Sequence, residues 1–78
     1  MLKNTANYWK YELLAMISYL SDDFKKSIQY SEKAIELNPK MSVYAYFYNP
    51  LAKLRLNRIE EARKLYEEAI SQFNRMKR

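Results

Sequence analysis

FKKSIQYSEKAIEL, residues 24–37, decides the fold, because IEEARKLYEEAISQ at residues 59–72 repeats its logic 35 residues further on. Glu32, Ala34 and Ile35 recur as Glu67, Ala69 and Ile70, and Phe24, Ser27 and Tyr30 recur in kind as Ile59, Ala62 and Leu65. The identities are sparse; what counts is that small and bulky side chains fall in the same slots. A period in the thirties marks stacked helical pairs, each of which cannot bury its apolar face alone and covers it with a neighbour. The chain therefore reads as two copies of one unit, an architecture for binding or assembly.

Upstream of that stretch, Thr5 or Asn4 caps a first helix running to about Leu20, on which Trp9, Leu13, Met16, Ile17 and Leu20 recur at helical spacing. Tyr8, Tyr11, Leu14 and Ala15 widen the apolar surface, which asks for more than one neighbour. Ser21-Asp22-Asp23 reads as a turn and cap before a second helix over about Asp23 to Leu37. Asn38-Pro39 ends that helix, since proline disfavours helical geometry in the residue before it and has no backbone N–H to donate. The third helical region, about Met41 to Leu56, contains Pro50. Interior proline costs a helix roughly 3 kcal/mol. A kinked helix is favoured over a break at Asn49, because Val43 to Tyr48 are too apolar for an exposed loop. Asn57-Arg58 turns the chain into a fourth helix from about Ile59 toward Met76, with Ile59, Ala62, Tyr66, Ala69, Phe73 and Met76 as its apolar seam. The chain has no glycine. Asp22 and Asn57 are expected in the left-handed turn positions that glycine usually takes.

Composition narrows the function. Seventy-eight residues allow one domain, 1–78, and a chain of this size buries only about 60% of its unfolded surface. With no cysteine and no histidine there is no disulfide and no expectation of a zinc site, so self-association is the remaining source of burial. The same absences remove the imidazole base and the thiol nucleophile, and without glycine there is no phosphate-cradling loop. No enzyme, cofactor or metal is expected. Apolar residues at 49% with eight tyrosines argue for a folded chain. The longest uncharged apolar run, Leu13 to Leu20, is too short to cross a bilayer, and the N-terminus does not read as a signal peptide, so a cytoplasmic protein is expected.

The net charge of +5 is concentrated in residues 40–58, where Lys40, Lys53, Arg55 and Arg58 occur with no acid among several tyrosines. Basic groups attract phosphate and aromatic rings stack on unpaired bases, which makes nucleic-acid binding the alternative reading. The tail cations Arg75, Lys77 and Arg78 read as complements to a helix C-terminus.

Tyr11, Leu14, Ala15, Ser18, Ser27, Ser31, Ala34 and Pro39, with Phe24 opening the second helix, match in spacing a family pattern. On these positions the chain resembles the tetratricopeptide repeat, an antiparallel helix pair. It departs from the usual pattern at Ser18, Ser31 and Asp22. A second repeat matches through Ile59, Ala62, Tyr66 and Ala69, with Pro50 where a small residue is expected. The resemblance implies an all-α fold of two antiparallel helix-turn-helix repeats, about 8–41 and 42–76, stacked as a short α-solenoid. It further implies a concave surface for a peptide, formed by Trp9, Glu12, Met16 and Tyr19, then Tyr44, Phe47, Leu51 and Leu54. The carboxylate-clamp positions of repeat one hold Glu12 and Met16, so that clamp is not expected.

Read by spacing alone, Trp9 and Met16 belong to the core sooner than to a ligand site. Tyr44, Tyr46, Phe47 and Tyr48 cover nearly every direction around a helix, so at least one ring is expected outside the core, where exposed aromatics favour an interface. The function expected is a protein-protein interaction module that binds another protein or peptide and associates with itself, as a symmetric dimer, through Tyr66, Phe73 and Met76. A designed or truncated repeat unit without its own ligand is the third reading.

Overall fold

The computed structural model describes residues 7–76, apart from the side chains of residues 75 and 76. It contains four helices, α1 (Tyr8–Leu20), α2 (Phe24–Leu37), α3 (Val43–Arg55) and α4 (Ile59–Met76). They form two antiparallel pairs in a helical repeat stack: α1 lies on α2, α3 lies across both, and α4 lies against α3.

The two pairs turn by the same chemistry. Asp22 and Asn57, 35 residues apart, both adopt φ 64°. At the end of α1 the Asp23 N–H donates to the Ser18 carbonyl (2.8 Å) and the Asp22 N–H to that of Tyr19 (3.0 Å). At the end of α3 the Arg58 N–H donates to Lys53 (2.8 Å) and the Asn57 N–H to Leu54 (3.0 Å). Each is a Schellman closure, which satisfies the last carbonyls of a helix through one left-handed residue. Asp and Asn tolerate that conformation better than other non-glycine residues. The expectation for both positions is met.

Asp23 then caps α2, its carboxylate accepting from the Lys26 N–H (3.3 Å). Helix α3 runs unbroken through Pro50, so the break at Asn49 does not occur.

The core is made of small side chains. Ala15, Ala34, Ala45 and Ala52 are fully buried, as are Ser27, Ser31, Ser42 and Asn49, with Ile28, Tyr46 and Ala62 nearly so. Small residues bring helix axes close, and serine is tolerated there because its hydroxyl finds a backbone carbonyl. Ser27 Oγ donates to the Ala15 carbonyl across the first pair (2.8 Å), and Ser31 Oγ to that of Ile28 (3.0 Å). The stripe on α1 behaves otherwise than its spacing suggests. Trp9, Leu13, Ile17 and Leu20 are exposed, while the buried positions of α1 are Glu12, Ala15 and Ser18. The largest apolar face of α1 is left uncovered by α2 and α3.

Candidate interaction surfaces

Three helices meet around Glu12. Ser42 begins α3 but does not cap it; its hydroxyl turns back to the carbonyls of Ala34 (2.9 Å) and Asn38 (2.6 Å), closing the end of α2. The start of α3 is capped instead by Glu12 of α1, whose Oε2 accepts from the Ala45 N–H at 3.0 Å. A carboxylate suits a helix N-terminus, where unpaired N–H groups and the dipole both favour negative charge. Burial pushes the Glu12 carboxyl above its ordinary value, and the N–H groups of Ala45 and Tyr44 pull against that shift.

Beside this junction, Trp9, Glu12, Leu13, Met16 and Tyr44 line a concavity of about 380 Å³ between α1 and α3. Four of these were expected on the concave surface, and Leu13 joins them. Trp9 is half exposed, so it is a wall of this concavity and not core. Tyr19 is elsewhere: its ring packs on Phe24 (5.4 Å between centroids) and on Tyr48 (5.6 Å).

The remaining candidates, Phe47, Leu51 and Leu54, line a second groove with Pro50, Ile59, Ala62, Arg63 and Tyr66. It lies between α3 and α4 and holds about 390 Å³. Phe47 and Tyr66 continue it into a neighbouring recess of about 300 Å³ that reaches Ala69, Ile70 and Phe73. Of the cluster on α3, Tyr46 is buried and Tyr44 and Phe47 are exposed. Of the self-association candidates, Tyr66 is exposed, whereas Phe73 is half-buried with its ring edge-on to Tyr46 at 5.4 Å. The Met76 side chain lies outside the described residues.

The basic residues do not form one free patch. The buried Lys53 ammonium stands 3.7 Å from Glu32, the Arg55 guanidinium lies 4.6 Å over the Phe24 ring, and Arg58 Nε donates to Glu61 at 3.1 Å. That bond holds the Glu61 carboxyl below its ordinary value. Lys40 is exposed on the turn after α2.

Two site residues were not legible as such in the sequence. Glu12 reads there as a polar groove position, and only the crossing of α1 and α3 makes it a cap. Asn49 reads as a possible helix start, yet it is fully buried, its amide donating to Ser31 Oγ (2.8 Å) and to the Ile28 carbonyl (3.4 Å). Among the described residues no group of acidic, histidine or cysteine side chains is arranged to hold a metal, and no helix is long and apolar enough to cross a membrane.

Two antiparallel helix pairs with matching left-handed turns, small residues at their crossings and concave faces between successive helices define a helical repeat protein. The family model for the tetratricopeptide repeat matches residues 11–41 and 51–73, and the chain belongs to that family. No curated protein and no solved structure matches it.

Proposed function

We propose that this chain is a non-enzymatic protein-interaction module that associates with itself through its apolar helix faces, and that the concavity between α1 and α3 receives an apolar side chain of a partner. Tetratricopeptide repeats generally mediate contacts between proteins, which supplies the class. The observation that carries the finer reading is the exposure of large apolar side chains at both ends of the stack. Leu13, Ile17 and Leu20 are uncovered on α1, and Ile59, Tyr66 and Ile70 on α4. Contiguous apolar surface of this kind marks interfaces. Nucleic-acid binding draws less support, since Lys53, Arg55 and Arg58 already have partners within the chain.

Light scattering across a dilution series tests the reading. The mass is expected to exceed that of the 9.5 kDa chain and to hold at moderate salt, because apolar association is not screened. A mass equal to one chain at every concentration would sink self-association. Retention on single-stranded DNA at low salt would return attention to the basic stretch.

A further inference from the structure

The 35-residue repeat relates the two open faces to an interface that the chain already contains. Within the chain, α3 seats on the first pair through Tyr48, Asn49, Ala52 and Arg55. Tyr48 meets Tyr19, Asn49 bonds Ser31 and Ile28, Ala52 is fully buried, and Arg55 covers Phe24. Thirty-five residues earlier stand Leu13, Leu14, Ile17 and Leu20, all four of them exposed. The outer face of α1 is thus the same helix face that α3 uses for docking.

The receiving surface obeys the same offset. Tyr19, Phe24, Ile28 and Ser31 accept α3; 35 residues on are Leu54, Ile59, Arg63 and Tyr66, and all four line the open groove between α3 and α4. One end of the chain therefore presents the plug and the other the socket of a junction that is already built once in its middle. We propose that copies of this chain stack head to tail, with α1 of one copy seated in the α3/α4 groove of the next. This rests on the self-association reading and specifies its geometry.

Side-chain size agrees with it. Leu14 and Ile17 are larger than their counterparts Asn49 and Ala52, and the groove offers about 390 Å³ where the inner junction is filled. The outer face of α1 is also more apolar than its inner counterpart, as suits association between separate molecules; the groove carries Arg63 where the inner junction has Ile28, and that guanidinium stands 3.7 Å from Glu60, exposed on α4. A contact between two different patches does not close on itself unless rotation brings a ring round, so it propagates.

The test uses two full-length variants, each blocking one face at an exposed position: Ile17→Glu on α1 and Tyr66→Glu in the groove. Head-to-tail stacking predicts a wild-type mass that climbs past two chains as concentration rises. Each variant alone should have the mass of one 9.5 kDa chain, and an equimolar mixture should form a one-to-one complex of twice that mass, since each copy keeps the face the other needs. If self-association holds but stops at two chains, or if one variant alone still dimerises, the geometry is overturned while the association stands. If the wild type is a single chain throughout, the association reading itself has failed. Helical circular dichroism of each variant checks the fold; should Ile17→Glu unfold, Leu20→Glu, at the most exposed position of that face (72%), takes its place with the same expectations.

Discussion

The two helix pairs share one turn and differ where their helices cross. In the first pair Ala15 and Ser27 face each other, both fully buried, joined by a 2.8 Å bond from the serine hydroxyl to the alanine carbonyl. In the second pair the corresponding residues are Pro50 and Ala62, and both line an open groove of about 390 Å³. Proline has no N–H for the Tyr46 carbonyl one turn earlier, and its ring crowds that carbonyl. The Schellman closures at Asp22 and Asn57 are alike in both pairs, so the turn does not decide how tightly a pair closes. Where the pairs differ is at the crossing, Ala15 and Ser27 in the first against Pro50 and Ala62 in the second.

The sharpest way to break this comparison is to enlarge the small residue in each pair. Ser27→Leu should cost about 3 kcal/mol, the upper end of overpacking, since a buried hydrogen bond is lost with it. That is a large share of the roughly 4–12 kcal/mol that holds a chain of this length together. Ala62→Leu should cost less than half as much, because the groove beside it takes the added carbons. Urea unfolding followed by helical circular dichroism measures both. Equal losses would mean that the second crossing is as tight as the first.

The next largest effect has the opposite sign. Pro50→Ala restores a backbone donor inside α3 and gives the second pair the residue that the first has at Ala15. It should raise stability by about 1–3 kcal/mol, a large part of the helical cost of proline. A loss of stability in the same urea experiment would show that the proline ring fills space that alanine leaves empty.

What the sequence made legible follows from local chemistry. The boundaries of α2 and α4, the left-handed Asp22 and Asn57, and the two-pair stack are all set by residues close in the chain. Matching slots at 27 and 62, or 34 and 69, needed no knowledge of neighbours. The orientation of α1 was not legible, because helical periodicity says that Trp9, Leu13, Ile17 and Leu20 share a face but not what lies opposite. Trp9 was expected in the core and the whole face is exposed, since α2 and α3 pack on the side holding Glu12, Ala15 and Ser18. The candidate groove divided for the same reason. Trp9, Glu12, Met16 and Tyr44 share one concavity, Phe47, Leu51 and Leu54 another, and Tyr19 neither. Periodicity places residues on a helix; only the crossing of helices places them in a site.

The smallest predicted effect distinguishes the inner junction from the outer one. Glu12 caps α3 from inside the stack, and the residue 35 positions on is Phe47, so an outer junction has no carboxylate in that place. Burial holds the Glu12 carboxyl above its ordinary value of 4.5. The folded chain therefore binds that proton more readily than the unfolded one, and stability rises as pH falls through the raised value, levelling off below about 4.5, the unfolded carboxylate range. The chain has no histidine to titrate in the same window, and Glu61, shifted the other way by Arg58, costs stability only as pH falls below its ordinary value. The urea midpoint of the wild type should accordingly increase as the pH falls from neutral toward about 4.5, and Glu12→Gln should flatten that rise. Glu12→Ala, which removes the cap altogether, should cost about 1 kcal/mol at neutral pH. A pH response unchanged in Glu12→Gln would place the titrating group elsewhere, and the inner junction would then be no more pH-sensitive than the outer.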